Sequence, residues 1–240
     1  RTRKKLFTKG TTGDKLRLII AEDDREEAQL VVTDIRDGIR SGRNPSEYAI
    51  MYRTNAQSRV LEEAFRREGL SYRLVGAQRF YGRKEVRDLI AFLRLIYNPM
   101  DEISLRRTIN LPPRGIGEKT VESLAEIANQ SGLSLGESLL ELPQPGNPAL
   151  ISLGRNGERL ARFARMLKAW REAAFSESLS SLFDRVVLDT EYETYIRDKS
   201  EEGQDRWENV LELRSVVMEY ETQGLQEFLE AMALVADQDT

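Results

Sequence analysis

An α/β segment followed by an all-α segment is the fold class this sequence predicts, on three observations. Short β-rich runs alternate with helical periodicities through residues 1–98, the pattern of βαβ units around a parallel sheet. Beyond Asn98-Pro99 only helical periodicity remains. The 240 residues contain no cysteine and no histidine, so neither disulfides nor Cys/His metal sites support the fold.

Each element has its own signal. Residues 1–13 form a basic lead-in, with Arg1, Arg3, Lys4, Lys5 and Lys9 ahead of a Gly-Thr-Thr-Gly tetrad. Residues 16–21 (LRLIIA) are the first expected strand. Residues 24–39 follow as a helix, with Ala28, Val31, Val32 and Ile35 at helical spacing and acids in the first turn. Residues 48–52 (YAIMY) are a second strand. Residues 55–68 are a helix that Gly69 ends, and 72–75 are a third strand. A loop over 76–82 leads to an amphipathic helix at 85–97. The all-α part reads as helices at 102–109, 117–129, 134–141, 150–171, 176–188, 191–199, 204–222 and 224–235. Capping boxes are expected at Ser134–Glu137 and Thr190–Glu193.

Composition excludes much chemistry. Without histidine or cysteine there is no catalytic triad, no thiolate and no imidazole acid–base pair. Apolar runs are too short for a membrane span and no signal peptide opens the chain, so a soluble, cytoplasmic protein that avoids membranes is expected. The net charge of −4 is unevenly spread. Residues 1–98 hold 21 Lys/Arg and 14 Asp/Glu, residues 99–171 hold 10 and 8, and residues 172–240 hold 5 and 18. The sign of each part bears on partners more than the sum does.

No G-x-x-x-x-G-K-[ST] phosphate loop and no G-x-G-x-x-G turn occurs. Acid clusters at 22–24 and 201–205 match no calcium loop and read as solvated helix starts. Two segments carry recognisable chemistry. The first, residues 52–59 (YRTNAQSR), sits where an expected strand passes into a helix, the place where open parallel sheets bind ligands. Arg53, Thr54, Asn55, Ser58 and Arg59 supply donors for a phosphodiester backbone. Thr54 and Gln57 equally fit a plain capping box. The second, residues 111–120 (LPPRGIGEKT), turns through Gly115-Ile116-Gly117 straight into a helix. Glycines let the backbone approach a phosphate, the helix N–H groups point at it, and Arg114, Lys119 and Thr120 flank it. A tight interhelical turn is the alternative.

These strings, together with residues 80–88 (FYGRKEVRD) and 206–213 (RWENVLEL), closely resemble UvrD/PcrA/Rep-type superfamily 1 DNA helicases in order and spacing across essentially the whole chain. The resemblance implies that residues 14–98 are part of a RecA-like domain 2A and that residues 99–240 are helical domain 2B, with a helix–hairpin–helix-like turn at 115–117. It implies ATP and Mg as cofactors of the intact enzyme and none in this chain. The phosphate loop would precede Arg1, and the Ala-Lys-Gly-Leu-Glu-Phe motif would follow Thr240. The chain alone is then expected to be inactive. Single-stranded DNA would meet Arg53–Arg59 and duplex DNA the Gly115–Gly117 turn, with Ile116 between the glycines. Residues 80–88 would organise the 2A/2B junction. Further implied partners are the rest of the helicase chain and repair proteins. Gly82 departs from the family, which commonly carries a charged residue there. A protein-interaction or autoinhibitory module is the alternative role, favoured by the acidic 172–240 segment.

Overall fold

In this computed structural model, which describes residues 13–75 and 79–238, the chain begins with a well-capped helix. Asp23 accepts the N–H of Glu26 at 2.7 Å, and Asp24, Glu26 and Glu27 complement the positive helix start. This helix, α1 (Asp24–Arg40), packs Ala28, Val32 and Ile35 against Val60, Ala64 and Phe65 of α2 (Ser58–Arg67). Together they build a small satellite core. Glu68 tethers the pair from outside, accepting from Arg36 at 2.7 Å and Gln29 at 3.1 Å.

The expected parallel sheet is absent. Among the described residues there is no strand, and the fold is all-helical instead of α/β plus all-α. Residues 16–21, 48–52 and 72–75 run as irregular chain, and no backbone hydrogen bond joins one run to another. β-rich composition describes a side-chain set that suits a half-buried surface, and a ladder also needs a neighbour's N–H and C=O groups. The period of two persists without the ladder. Tyr48, Ile50 and Tyr52 turn partly inward while Ala49 and Met51 face solvent, and Tyr72 and Leu74 alternate likewise with Arg73. Tyr48, Ile50 and Tyr72 thereby rest on the α1/α2 core, leaving a crevice of about 1270 Å³ beside them. Leu16, Leu18 and Ile20 stand in solvent. Of the basic lead-in, residues 1–12 lie outside the described residues, as do 76–78 of the expected loop and 239–240.

The larger core forms around α3 (Lys84–Tyr97). Val86, Leu89, Phe92, Leu93, Leu95 and Ile96 are all buried, and so are its polar Glu85 and Asp88. A helix apolar on nearly every side must be surrounded. Helices α4 (Glu102–Thr108), α7 (Pro148–Ser176), α8 (Leu179–Asp189), α10 (Glu201–Glu219) and α11 (Leu225–Gln238) pack on it. Helices α5 (Glu118–Gln130) and α6 (Leu135–Glu141) lie further out against α7, and α9 (Tyr192–Ile196) bridges α8 and α10. The helical expectations for residues 99–240 therefore hold to within a few residues at each end. One capping detail does not. Ser134 and Glu137 cap α6 reciprocally, but Thr190 turns its hydroxyl back to the Val186 carbonyl at 2.6 Å, and no capping box starts α9.

Helix α7 is two helices joined at Gly154, whose φ of 53° and ψ of −127° break the spiral. A residue with a side chain is strained there. Residues 155–176 then run unbroken beside α3, and Phe92, Trp170 and Phe163 meet edge to face at centroid distances of 5.8 and 6.3 Å.

This architecture yields a direct contrast. Leu89→Ala is expected to cost about 2–5 kcal/mol in denaturant unfolding, as large-to-small core substitutions do. Leu18→Ser, in the exposed run, is expected to leave the midpoint within about 0.5 kcal/mol of the parent. A comparable loss at Leu18 would mean that the run is buried.

Candidate nucleic-acid interface

The turn between α4 and α5 is held by three side chains. Asn110 accepts the N–H groups of Arg114 at 2.7 Å and Ile116 at 3.1 Å, closing the loop from below. Arg114 folds back over its own turn, donating to the carbonyls of Thr108 and Pro112 at 3.2 Å each and to that of Leu111. Its guanidinium lies 5.2 Å from the centroid of Phe163. Burial lowers the Arg114 pKa to about 10, so the group stays charged at neutral pH while being partly desolvated. Ile116 is fully in the larger core.

Gly115 and Gly117 are glycines for different reasons. Gly115 has φ of +71°, the left-handed region, and its carbonyl accepts from Arg159 on α7 at 3.0 Å. Gly117 is the N-cap of α5 with ordinary extended angles (φ −80°, ψ 167°), and a Cβ there would meet nothing within 4 Å. Gly117 is therefore small without any need from the fold. Its outward side is open. The N–H groups of Gly117, Glu118 and Lys119 make no hydrogen bond among the described residues, whereas Thr120 N–H returns to the Gly117 carbonyl at 2.9 Å. Lys119 is exposed and forms no ion pair among those residues, and exposed Glu118 is the one acid beside it in the first turn of α5.

The six turn residues singled out by sequence thus divide. Gly115, Gly117 and Lys119 present an outward surface. Arg114, Ile116 and Thr120 are turned inward and build it, Thr120 being buried. Asn110 and Arg159 were not legible as members. Asn110 belongs to a common loop-stabilising residue type, and Arg159 comes from a helix 44 positions further along the chain.

The 52–59 segment is shaped by a different constraint. Gln57 accepts from the N–H groups of Arg53 at 2.9 Å and Thr54 at 3.1 Å, so the capping box is realised around the short turn Asn55–Gln57. Ser58 is buried, donating to Glu62 at 2.7 Å and accepting from Arg83 at 2.8 Å. Arg59 is also buried. Burial works against its charge, but Glu63 at 3.0 Å and Glu212 on α10 more than compensate and hold its pKa above the ordinary arginine value. Tyr81 adds a hydrogen bond to Glu63 at 3.0 Å. Asn55 donates to Asp205 at 3.3 Å. Arg53 alone of these cations is exposed without an ion pair among the described residues.

The four strings that carried the resemblance meet in this region or at the turn. Arg83 donates to Asn209 at 2.6 Å and to the Asn55 carbonyl at 2.9 Å, and Asn209 donates to Glu85 at 2.6 Å. Residues 52–59, 80–88 and 206–213 therefore share one buried polar network. A similar arrangement surrounds Asp88, which accepts from Lys84 at 2.9 Å, Arg107 at 2.8 Å and the Tyr192 hydroxyl at 3.0 Å. Burial and the Asp88 carboxylate both push the Tyr192 pKa up.

Arg59→Ala removes a buried cation from half-buried carboxylates, Glu63 and Glu212, and is expected to cost about 2–3 kcal/mol in chemical denaturation. Arg53→Ala is expected to stay within about 0.5 kcal/mol of the parent. Equal effects would mean that Arg59 is no more embedded than Arg53.

The whole chain, residues 1–240, matches the family model described as the UvrD-like helicase C-terminal domain. A protein named ATP-dependent DNA helicase PcrA from Staphylococcus epidermidis RP62A is 40% identical over 243 residues, covering 98% of this chain and 33% of the relative. The protein of the same name from Staphylococcus aureus Mu50 is 37% identical over 245 residues, with the same coverage of 98% and 33%. The chain spans about a third of the length of these curated relatives.

Proposed function

The chain belongs to the UvrD-like helicase C-terminal domain family, and from that premise we propose that it is the DNA-handling and regulatory part of an ATP-dependent 3′→5′ DNA helicase acting in repair or replication. Its direct partners are then single-stranded and duplex DNA, together with the remainder of the helicase chain and repair proteins. ATP and Mg serve the intact enzyme. Among the described residues no group of three or more acids or histidines is arranged to hold a metal ion, and the sequence has no phosphate loop. No step of ATP hydrolysis is assigned to residues of this chain.

The observation that carries the reading is the open amide cluster at Gly117. Three N–H groups at the start of a 13-residue helix make no hydrogen bond among the described residues, in an exposed turn that Asn110 and Arg114 brace. Such a site suits a phosphate oxygen, because the donors are pre-oriented and the helix dipole favours negative charge. Backbone donors on a phosphate read no base, so duplex of any sequence is bound alike. Glu118 tempers the attraction and Lys119 adds to it. On the other segment, Arg53 with Thr54 and Asn55 is the single-strand contact, while Arg59 holds that segment against Glu212 of α10 and Ser58 anchors it to Glu62 and Arg83.

The test is a substitution that blocks approach without disturbing the fold. Gly117→Val puts a side chain into open space at unstrained angles, at a capping cost of no more than about 1 kcal/mol. Duplex affinity is expected to fall roughly 10- to 100-fold, the worth of one charge-assisted hydrogen bond, while single-strand affinity stays constant. Lys119→Ala is expected to reduce the salt slope of duplex binding by about 0.9. Native melting with unchanged duplex affinity in both variants would leave the turn a connector and favour the protein-interaction role, for which the acidic 172–240 segment speaks.

A further inference from the structure

Helix α10 turns one face toward the 52–59 segment. Asp205, Asn209 and Glu212 follow one another at spacings of four and three, which places them on that face. Two of them meet a buried cation, Asn209 accepting from Arg83 at 2.6 Å and Glu212 accepting from Arg59. Asp205 meets a neutral group instead. Its carboxylate accepts from the side-chain amide of Asn55 at 3.3 Å, across 150 positions of sequence.

The charges around this bond are the second observation. Among the described residues the Asn55 side chain makes no other hydrogen bond, and Asp205 forms no ion pair. Both are half-buried. Arg53, two positions before Asn55, is exposed and also without an ion pair among those residues. An unpaired cation therefore lies beside Asn55 in the chain while an unpaired anion is bonded to it. Support of Arg83 does not explain the anion. That guanidinium already donates to Asn209, Ser58 and the Asn55 carbonyl, and Glu62 and Glu85 favour its charge more than Asp205 does.

We infer that Asp205 restrains single-strand binding, holding the Asn55 amide in the DNA-free chain and repelling the phosphate that would take its place. The inference rests on the single-strand reading of Arg53, Thr54 and Asn55. A phosphate that displaces Asp205 gains a bond to Asn55 only by breaking one already made, so the net gain is small. The amide has a second N–H, but a phosphate taking that donor lies beside the carboxylate and is repelled by it. Either route weakens the contact. Affinity lost in this way shows mainly as faster release, which suits a contact that a strand must move past.

The experiment measures binding of a fluorescent oligothymidylate strand by the full 240-residue chain at low and moderate salt. Asp205→Asn removes the charge while keeping the shape and an acceptor for Asn55. Affinity at low salt should rise about three- to tenfold, the worth of one like charge at short range in a half-exposed site. The gain should shrink as salt is raised. Asp205→Ser removes the same charge with a smaller side chain and should show the same gain. Asp205→Glu keeps the charge and should stay within about twofold of the parent. Glu201→Gln, one turn earlier on α10, should also stay within about twofold, because its effect is only that of net charge. In an Asn55→Ala background most of the gain from Asp205→Asn should vanish. A purely structural Asp205 would lose affinity on substitution, so the sign itself is diagnostic. Unchanged or lower affinity in natively melting Asp205→Asn and Asp205→Ser variants overturns the inference, as does an equal gain from Glu201→Gln. Arg53→Ala and Asn55→Ala, measured alongside, test the single-strand reading by itself. Weaker binding in both with no gain from Asp205→Asn keeps that reading and removes the role of Asp205. No change in either removes both.

Discussion

The constraint on which this molecule depends is the burial of α3. A helix with Val86, Leu89, Phe92, Leu93 and Leu95 spread round most of its circumference leaves only a narrow stripe, Lys84, Arg87 and Arg94, for water, so other helices must enclose the rest. Enclosure then acts on its polar residues. Glu85 and Asp88, in the first turns, and Arg83 just before the helix are carried inside with the apolar ones, and burying an unpaired charge costs far more than the helix could gain elsewhere. Each has accordingly drawn partners from distant sequence: Asn209 for Arg83 and Glu85, and Arg107 and Tyr192 for Asp88. These bonds fix which parts of the chain meet, in the way buried polar pairs select one arrangement among many.

The same enclosure makes the turn at 110–117 stiff. Phe92 of α3 packs on Trp170, Trp170 on Phe163, and Arg114 lies over Phe163. Arg114 therefore spends its charge on the turn's own carbonyls and on an aromatic face. What it supplies to the surface is position. On the proposed reading, a donor cluster that is already oriented loses little freedom when it meets a phosphate.

Helices were legible because their signal is local. Apolar periodicity, the Ser134–Glu137 cap and the Gly and Pro breaks each act within a few residues, and the elements of 99–240 stand close to where those signals place them. The strands were misjudged because a β-run's composition specifies only one half of a pairing. Tyr48, Ile50 and Tyr72 kept the alternation and used it against α1 and α2. The candidate site was legible by residue type and not by orientation. Arg59 and Arg53 read alike in sequence, yet one is enclosed by Glu63 and Glu212 while the other faces solvent. The carboxylate that decides this, Glu212, lies 153 positions away. Likewise nothing near Gly117 in sequence says that its missing side chain leaves open space while that of Gly115 faces Arg159.

Charge distribution completes the picture and shows why the net charge misleads. The acidic surplus of residues 172–240 is partly consumed in holding the molecule together. Glu212 and Glu219 pair with Arg59 and Arg25, while Asp184, Glu193 and Asp198 pair with arginines of their own region. Exposed acids without an ion pair among the described residues include Glu201 and Glu202 on α10, Glu230 on α11 and Glu172 on α7 itself. The arginines of α7 likewise form no ion pair among the described residues. The field around the molecule is therefore set by which charges the fold leaves unpaired, and the net charge of −4 does not describe it.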